Sequence, residues 1–235
     1  MRLLSRLHPR NWPLAGGCWV CLAWGSDRVC TDCRALFLPQ RLRCSGCALP
    51  LPAPPPGDGL SLCGACLREP LGLDHCHAAV DYQEPWADLL KHMKFRGHLV
   101  VAEVLVPLWP LGVPPDVLLP VPQHPDRLVE RGFNPPEVLA QALARRTGWA
   151  VQTGWLLRPV PTPPQTRLTR AERHDNLRGA FALSPRAQPR GLHIALVDDV
   201  LTTGATLSAL AQLLRRQGAA QVSAYVAART PDPTH

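Results

Sequence analysis

The sequence predicts an α/β fold, a mostly parallel sheet flanked by helices, with a small N-terminal Cys-rich domain attached. Three observations point there. Short apolar runs of strand type alternate with segments of helical periodicity, the pattern of a parallel sheet covered on both faces. The clearest run, Ile194, Ala195, Leu196 and Val197, leads through D-D-V-L-T-T-G into Leu207, Leu210, Ala211 and Leu214 at helical spacing. Eight of the nine cysteines crowd into residues 18–66 as four C-x-x-C pairs among prolines, with little capacity for a core of their own. At 235 residues and 46% hydrophobic content, the chain supports one sizeable core plus an appendage. It contains no apolar run near the ~18 residues of a membrane helix.

The N-terminal domain is expected over residues 1–77. Ala15, Gly16 and Gly17 precede Cys18 much as in a lipoprotein signal, but His8, Pro9, Arg10 and Pro13 interrupt any apolar core of such a signal. A cytoplasmic location is therefore expected, and thiols kept reduced there argue for metal over disulfides. Cys18 with Cys21, Cys30 with Cys33, Cys44 with Cys47 and Cys63 with Cys66 each form a knuckle, and two knuckles close a tetrahedral structural zinc site. Pairing in chain order gives C-x2-C-x8-C-x2-C and C-x2-C-x15-C-x2-C, hence two zinc ions; interleaved pairing or a single filled site also fits the spacing. A redox role would need one reactive pair beside a βαβ unit. Cys76, between His75 and His77, reads as a free thiol beside solvent-facing histidines.

The second domain is expected over residues 78–235, after the breaker-rich Pro52–Gly59 segment and the last knuckle. Ala78–Tyr82 makes a short strand, and Trp86–Arg96 a helix with Leu89, Leu90 and Met93 on one face. Asp116–Val121 is a buried strand; Val138, Leu139, Ala142 and Leu143 mark a helix that Gly148 caps. Val151–Leu157, Gly179–Leu183, Ile194–Val197 and Val222–Ala227 supply further strands.

Ligands of such sheets sit beyond the carboxyl ends of the strands, so the loops that follow strands are where chemistry is expected. The loop Asp198–Gly204 ends at a helix start, whose unpaired N–H groups and positive dipole end form an anion seat. Thr202, Thr203 and Thr206 add hydroxyl donors, and Gly204 permits close backbone approach. No lysine precedes the threonines, so the loop is not a nucleotide-triphosphate cradle. Asp198 and Asp199 instead offer acceptors to neighbouring hydroxyls, and a sugar phosphate carrying a diol satisfies both halves. The loop after Val121, P-Q-H-P-D-R-L-V-E-R-G-F-N, offers Arg127 and Arg131 as cations for a diphosphate. A third loop, Pro159–Arg178, is too long and polar for a simple connection.

Residues 194–206 resemble the thirteen-residue 5-phosphoribosyl-1-diphosphate (PRPP) fingerprint of the type I phosphoribosyltransferases. There the acidic pair holds the ribose 2- and 3-hydroxyls and the following loop holds the 5-phosphate. The order of parts is four knuckles, V-P-x-H-x-x-R-x-x-x-R-G-F-N, P-P-Q-x-x-L-x-R-x-E-R-x-x-N-x-x-G-A-F and L-V-D-D-V-L-T-T-G-A-T. Over nearly the whole chain this resembles the ComF (ComFC-like) family of bacterial competence proteins, related to the amidophosphoribosyltransferase branch. The resemblance implies a type I phosphoribosyltransferase-like fold behind an N-terminal double zinc ribbon. It implies a PRPP site, with Mg2+, at Asp198, Asp199, Thr202, Thr203, Gly204 and Thr206, pyrophosphate contacts at Arg127 and Arg131, and a mobile loop over Pro159–Arg178. Closure of that loop fits the chemistry, because departure of pyrophosphate from C1 passes through an oxocarbenium-like state that water would intercept. Arg170 and Arg173 are the candidate catalytic clamp, with Gln165 and Asn176 orienting it; the plainer alternative is an exposed loop that keeps the chain soluble. The family often has glutamine where this chain has Pro135, a residue that can open the next helix.

The net charge of +7 and pI of 9.2 suggest an acidic partner, but each filled four-thiolate site contributes about −2, so two sites would leave about +3. Local clusters carry more information: Arg41 and Arg43, which read as solvated surface, and Arg167, Arg170, Arg173 and Arg178 before the fingerprint. Trp19 and Trp24 read either as packing within the knuckles or as stacking platforms for single-stranded DNA. Two functions stay open. One is a phosphoribosyltransferase with an unidentified acceptor, serving the uptake and processing of single-stranded DNA during natural transformation. The other is a non-catalytic adaptor that senses PRPP or a related sugar phosphate and binds single-stranded DNA or a competence helicase.

Overall fold

The computed structural model describes residues 16–53, 61–159 and 180–231. Its strands are β1 (His75–Asp81), β2 (Val117–Pro120), β3 (Leu156–Leu157), β4 (Ala182–Leu183), β5 (His193–Leu201) and β6 (Gln221–Arg229). β1, β6, β5 and β2 form one sheet in that order with every pairing parallel, while β3 and β4 make a separate antiparallel pair. Side chains alternate across the main sheet. Leu118, Ala195, Val197, Tyr225 and Ala227 join the core layer containing α3 (Trp86–Arg96), α4 (Val101–Leu105) and α6 (Pro135–Thr147). Leu119, Ile194, Leu196, Val222, Ala224 and Val226 join the layer containing α7 (Ala205–Arg216), through Leu207, Leu210 and Leu214. Burial on both faces is why these strands read as continuous apolar runs.

Several elements fall where the sequence puts them. α3 spans Trp86–Arg96, and Pro135 opens α6 while Gly148 caps it. Others differ. β5 runs on past Val197 to Leu201, so Asp198 and Asp199 stand on the strand rather than in the loop. The cause is β6, which stays alongside and pairs Val226 with Asp198 and Arg229 with Leu201. The expected Val151–Leu157 strand reduces to a bridge between Val151 and Leu118 plus the two residues of β3, interrupted by Gly154 at φ 81°. Of Gly179–Leu183, Ala182 and Leu183 form β4, and Gly179 lies outside the described residues.

The Cys-rich segment does not stand apart from the sheet. Cys18, Trp19, Val20, Val29 and Cys33 join the α3 layer, and Trp86 Nε1 donates to the Phe37 carbonyl at the end of α1 (Thr31–Phe37), 3.0 Å away. Cys44, Cys47, Cys63 and Cys66, the last within α2 (Gly64–Arg68), join the α7 layer on the opposite face. The Cys76 N–H donates to the Ser45 carbonyl at 2.7 Å, so β1 begins in contact with the second pair of knuckles.

Arg43 and Arg41 are not simply solvated. Arg43 Nη1 lies 2.8 Å from Asp81 at the end of β1 and also reaches the Ala48 carbonyl at 3.0 Å, while Arg41 is 3.7 Å from the same carboxylate. The Cys76 thiol is buried, and His77 stacks on Tyr225 at 4.7 Å instead of facing solvent, burial pushing its pKa down to about 4. Among the described residues, no helix is long and apolar enough to cross a membrane.

Asp81→Asn is expected to leave the half-buried Arg43 guanidinium without its counter-charge and to destabilise the chain by about 1–3 kcal/mol. Urea unfolding measures this; an unchanged midpoint would contradict the role given to the ion pair.

Candidate functional site

The eight knuckle cysteines gather into two groups, Cys18, Cys21, Cys30 and Cys33, and Cys44, Cys47, Cys63 and Cys66, with the thiols of each group within 4.8 Å of one another. Pairing therefore follows chain order. The Cys21 and Cys30 sulfurs are 3.7 Å apart and those of Cys47 and Cys63 3.6 Å apart. A tetrahedral ion with sulfur ligands at ~2.3 Å spaces them by about 3.8 Å, whereas a disulfide needs ~2.05 Å. Backbone N–H groups of Val20 and Cys30 aim at the Cys18 sulfur, and that of Cys63 at Cys44, donors that favour thiolate. Leu22 and Ala48, each just after the leading knuckle of its group, share a left-handed backbone at φ 64° and 58°. Such a conformation is rare for residues with side chains, and here the same tight turn is built twice. Both groups can hold a metal ion through four sulfurs, which leaves no open position for catalysis. Trp19 packs inside at 7% exposure; Trp24, at 88%, does not.

Beyond the carboxyl ends of β2 and β5 lies a cavity of about 860 Å³. Asp198, Asp199 and Thr206 line it, faced by Lys94 from the last turn of α3, Arg127 and Arg131 from α5 (Pro125–Arg131), and Arg158 just after β3. Lys94 Nζ sits 2.9 Å from Asp199. The Asp199 N–H donates to Asp198 Oδ1 at 2.8 Å, yet burial and the neighbouring Asp199 charge push the Asp198 pKa up to about 7. Burial and the charge of Arg127 lower the pKa of Arg158, opposed by Asp198, and its guanidinium lies over the Phe181 ring at 5.4 Å. Arg131 lies similarly over Phe95, 5.5 Å from the ring centre. The result is a cationic wall facing a carboxylate pair. A recess of about 630 Å³ beside the second cysteine group is lined by Arg68 and by Arg41 and Asp81, which pair with each other.

Gly204, the residue before α7, has φ 85°, a backbone that requires glycine, and a Cβ there would come within 2.6 Å of Leu71 Cδ1, whose side chain would have to move. Thr203 Oγ1 accepts from the Ala205 N–H at 3.5 Å. The structure thus brings Asp198, Asp199, Thr206, Arg127 and Arg131 into one cavity, while Thr202, Thr203 and Gly204 form the bend between β5 and α7, where Thr203 faces a small recess with Leu71 and Ser208. Gln165, Arg170, Arg173 and Asn176 lie outside the described residues, as do Arg167 and Arg178. Lys94 and Arg158 escaped the sequence reading. Lys94 belongs to a helix read only for its apolar stripe; Arg158 directly follows an expected strand, the one available signal.

The family model described as "Phosphoribosyl transferase domain" matches residues 139–235. The chain is 35% identical over 229 residues to the DNA utilization protein YhgH of Salmonella typhi, covering 92% of this chain and 97% of the relative. It is 30% identical over 220 residues to the Competence protein F of Haemophilus influenzae, covering 85% of this chain and 96% of the relative. With the Competence protein ComFC of Bacillus subtilis it shares 28% identity over 217 residues, covering 87% and 85% respectively. The parallel sheet, its helices and the domain match define a type I phosphoribosyltransferase-like fold carrying N-terminal cysteine clusters. The chain belongs to the ComF family, with YhgH and ComFC among its relatives.

Cys44→Ser or Cys63→Ser is expected to lower bound metal by one equivalent and to destabilise the N-terminal region; metal analysis finding no loss would refute the second site. A further expectation concerns pH. The folded-state pKa of Asp198, about 7, lies above its unfolded value, so the folded chain binds the proton more tightly and stability falls as pH rises from about 4 through 7. Asp198→Asn keeps an acceptor for the Asp199 N–H and removes that loss. Its thermal midpoint should match the parent near pH 4 and exceed it by a few degrees at pH 8; equal midpoints at both would contradict the assignment.

Proposed function

We propose that the cavity binds PRPP with Mg2+. The supporting observation is the carboxylate pair at the end of β5, opposed by Lys94, Arg127, Arg131 and Arg158 and adjoining the N-terminus of α7. Asp198 and Asp199 accept from the ribose 2- and 3-hydroxyls. Thr202, Thr203, Thr206 and the first N–H groups of α7 hold the 5-phosphate, with Gly204 permitting the approach. Arg127, Arg131, Arg158 and the cation neutralise the diphosphate, and Gln165, Arg170, Arg173 and Asn176 supply the clamp that closes over it.

In this reading, zinc fills both cysteine clusters, residues 1–77 form the metal-bearing part and residues 78–235 the ligand-binding part of a cytoplasmic protein. The names of the relatives support a role in taking up and using DNA, with PRPP serving transfer of its 5-phosphoribosyl group to an acceptor and release of pyrophosphate. The exposed Trp24 beside the first cluster supports contact with single-stranded DNA, directly or alongside a competence helicase.

Calorimetry with PRPP and Mg2+ tests the site. The parent is expected to bind and the Asp198→Asn, Asp199→Asn double variant to lose binding while keeping two equivalents of metal; unchanged affinity would defeat the assignment. Pyrophosphate release measured against a panel of bases and single-stranded DNA separates the two functions: release that requires an acceptor supports a transferase, and binding without turnover an adaptor.

A further inference from the structure

Arg229, the last residue of β6, is buried at 9% exposure. A guanidinium taken out of water needs its donors met, and carbonyl oxygens from separate parts of the chain meet those of its Nε and Nη1. Nε donates to the Cys47 carbonyl at 3.0 Å, within the second cysteine cluster. Nη1 donates to the carbonyls of Leu201 at 3.2 Å and Thr202 at 2.9 Å, where β5 turns into the bend before α7. The same nitrogen reaches the Thr230 carbonyl and hydroxyl, and Thr230 donates back to Leu201 through N–H and Oγ1. One planar fork thus joins a cluster cysteine to the bend.

A second contact joins the same two places independently. Leu71, three residues after the last helical residue of α2, packs beside Gly204, where its side chain would have to move to admit a Cβ. The second cluster meets the bend at Leu201 and Thr202 through Arg229, and the segment that follows the cluster meets it at Gly204 through Leu71.

We infer that metal occupancy of the second cluster and sugar-phosphate binding at the bend are coupled through Arg229, which acts as a positioning residue for the phosphate seat. This rests on the reading of the bend as the 5-phosphate site. A four-sulfur metal site fixes the Cys47 carbonyl; that carbonyl orients the Arg229 fork; the fork holds the Leu201 and Thr202 carbonyls and so aims the N–H groups that follow them. Loss of the metal frees the first link and loosens the last. Linkage makes the effect reciprocal, so a ligand at the bend tightens metal at the cluster.

The experiment uses the full chain, zinc and ribose 5-phosphate. Zinc affinity is measured by competition with a chelator of known strength, with and without saturating ribose 5-phosphate, and ribose 5-phosphate binding by calorimetry on zinc-loaded and partly stripped protein. One of the two zinc equivalents is expected to tighten by about tenfold with ligand present, and stripping it to weaken the ligand by the same factor. In Arg229→Lys, which keeps the charge but cannot fork to both carbonyl sets, the ligand is expected to bind more weakly and to give zinc no added protection. Binding by the parent that leaves both zinc affinities unchanged would overturn the coupling while leaving the site reading intact. Failure of the zinc-loaded parent to bind ribose 5-phosphate would overturn the site reading, and the coupling with it. The parent measurements stand alone should Arg229→Lys fail to fold.

Discussion

The arrangement depends on the parallel ladder between β5 and β6 continuing beyond the apolar run. Because β6 pairs with β5 as far as Leu201 and Arg229, Asp198 and Asp199 are held as strand residues, backbone fixed, and both line the cavity. Burial, and after it the neighbouring Asp199 charge, oppose ionisation of Asp198, whose proton is held to about pH 7 as a result. Lys94 and Arg158, from segments far apart in the chain, offset that repulsion. A site that tolerates such tension in the free protein is poised for a ligand or cation that relieves it, the usual exchange of stability for function.

The same sheet and its helices hold the Cys-rich segment to the rest. A loop-rich stretch with four knuckles cannot bury enough surface to stand alone, and it borrows from both faces of the sheet, the first cluster joining the α3 layer and the second the α7 layer. Asp81 at the end of β1 and Arg229 at the end of β6 anchor the second cluster from neighbouring strands. Metal ligands and phosphate bend are therefore parts of one packed body.

Much of this was legible in the sequence because it is local. The fingerprint, the knuckle spacing, the span of α3 and the proline that opens α6 each depend on residues a few positions apart. Where the sequence misled, a distant partner decided. Aspartate disfavours strands, yet β6 extends β5 through two of them. Arg43 looked like surface until Asp81, 38 residues away, supplied its counter-charge. Lys94 and Arg229 carry no local mark of function, and Arg158 only its place after an expected strand, since each acquires its role when the fold brings other segments to it. The histidine beside Cys76 is taken from solvent by Tyr225 of a strand formed at the far end of the chain.

Crystals of the zinc-loaded protein soaked with PRPP and Mg2+ would locate the ligand directly. Electron density is expected to place the ribose hydroxyls within hydrogen-bonding distance of Asp198 and Asp199, with the 5-phosphate against the first N–H groups of α7. An empty cavity at saturating ligand, or a ribose ring seated away from those carboxylates, would contradict this reading of the protein.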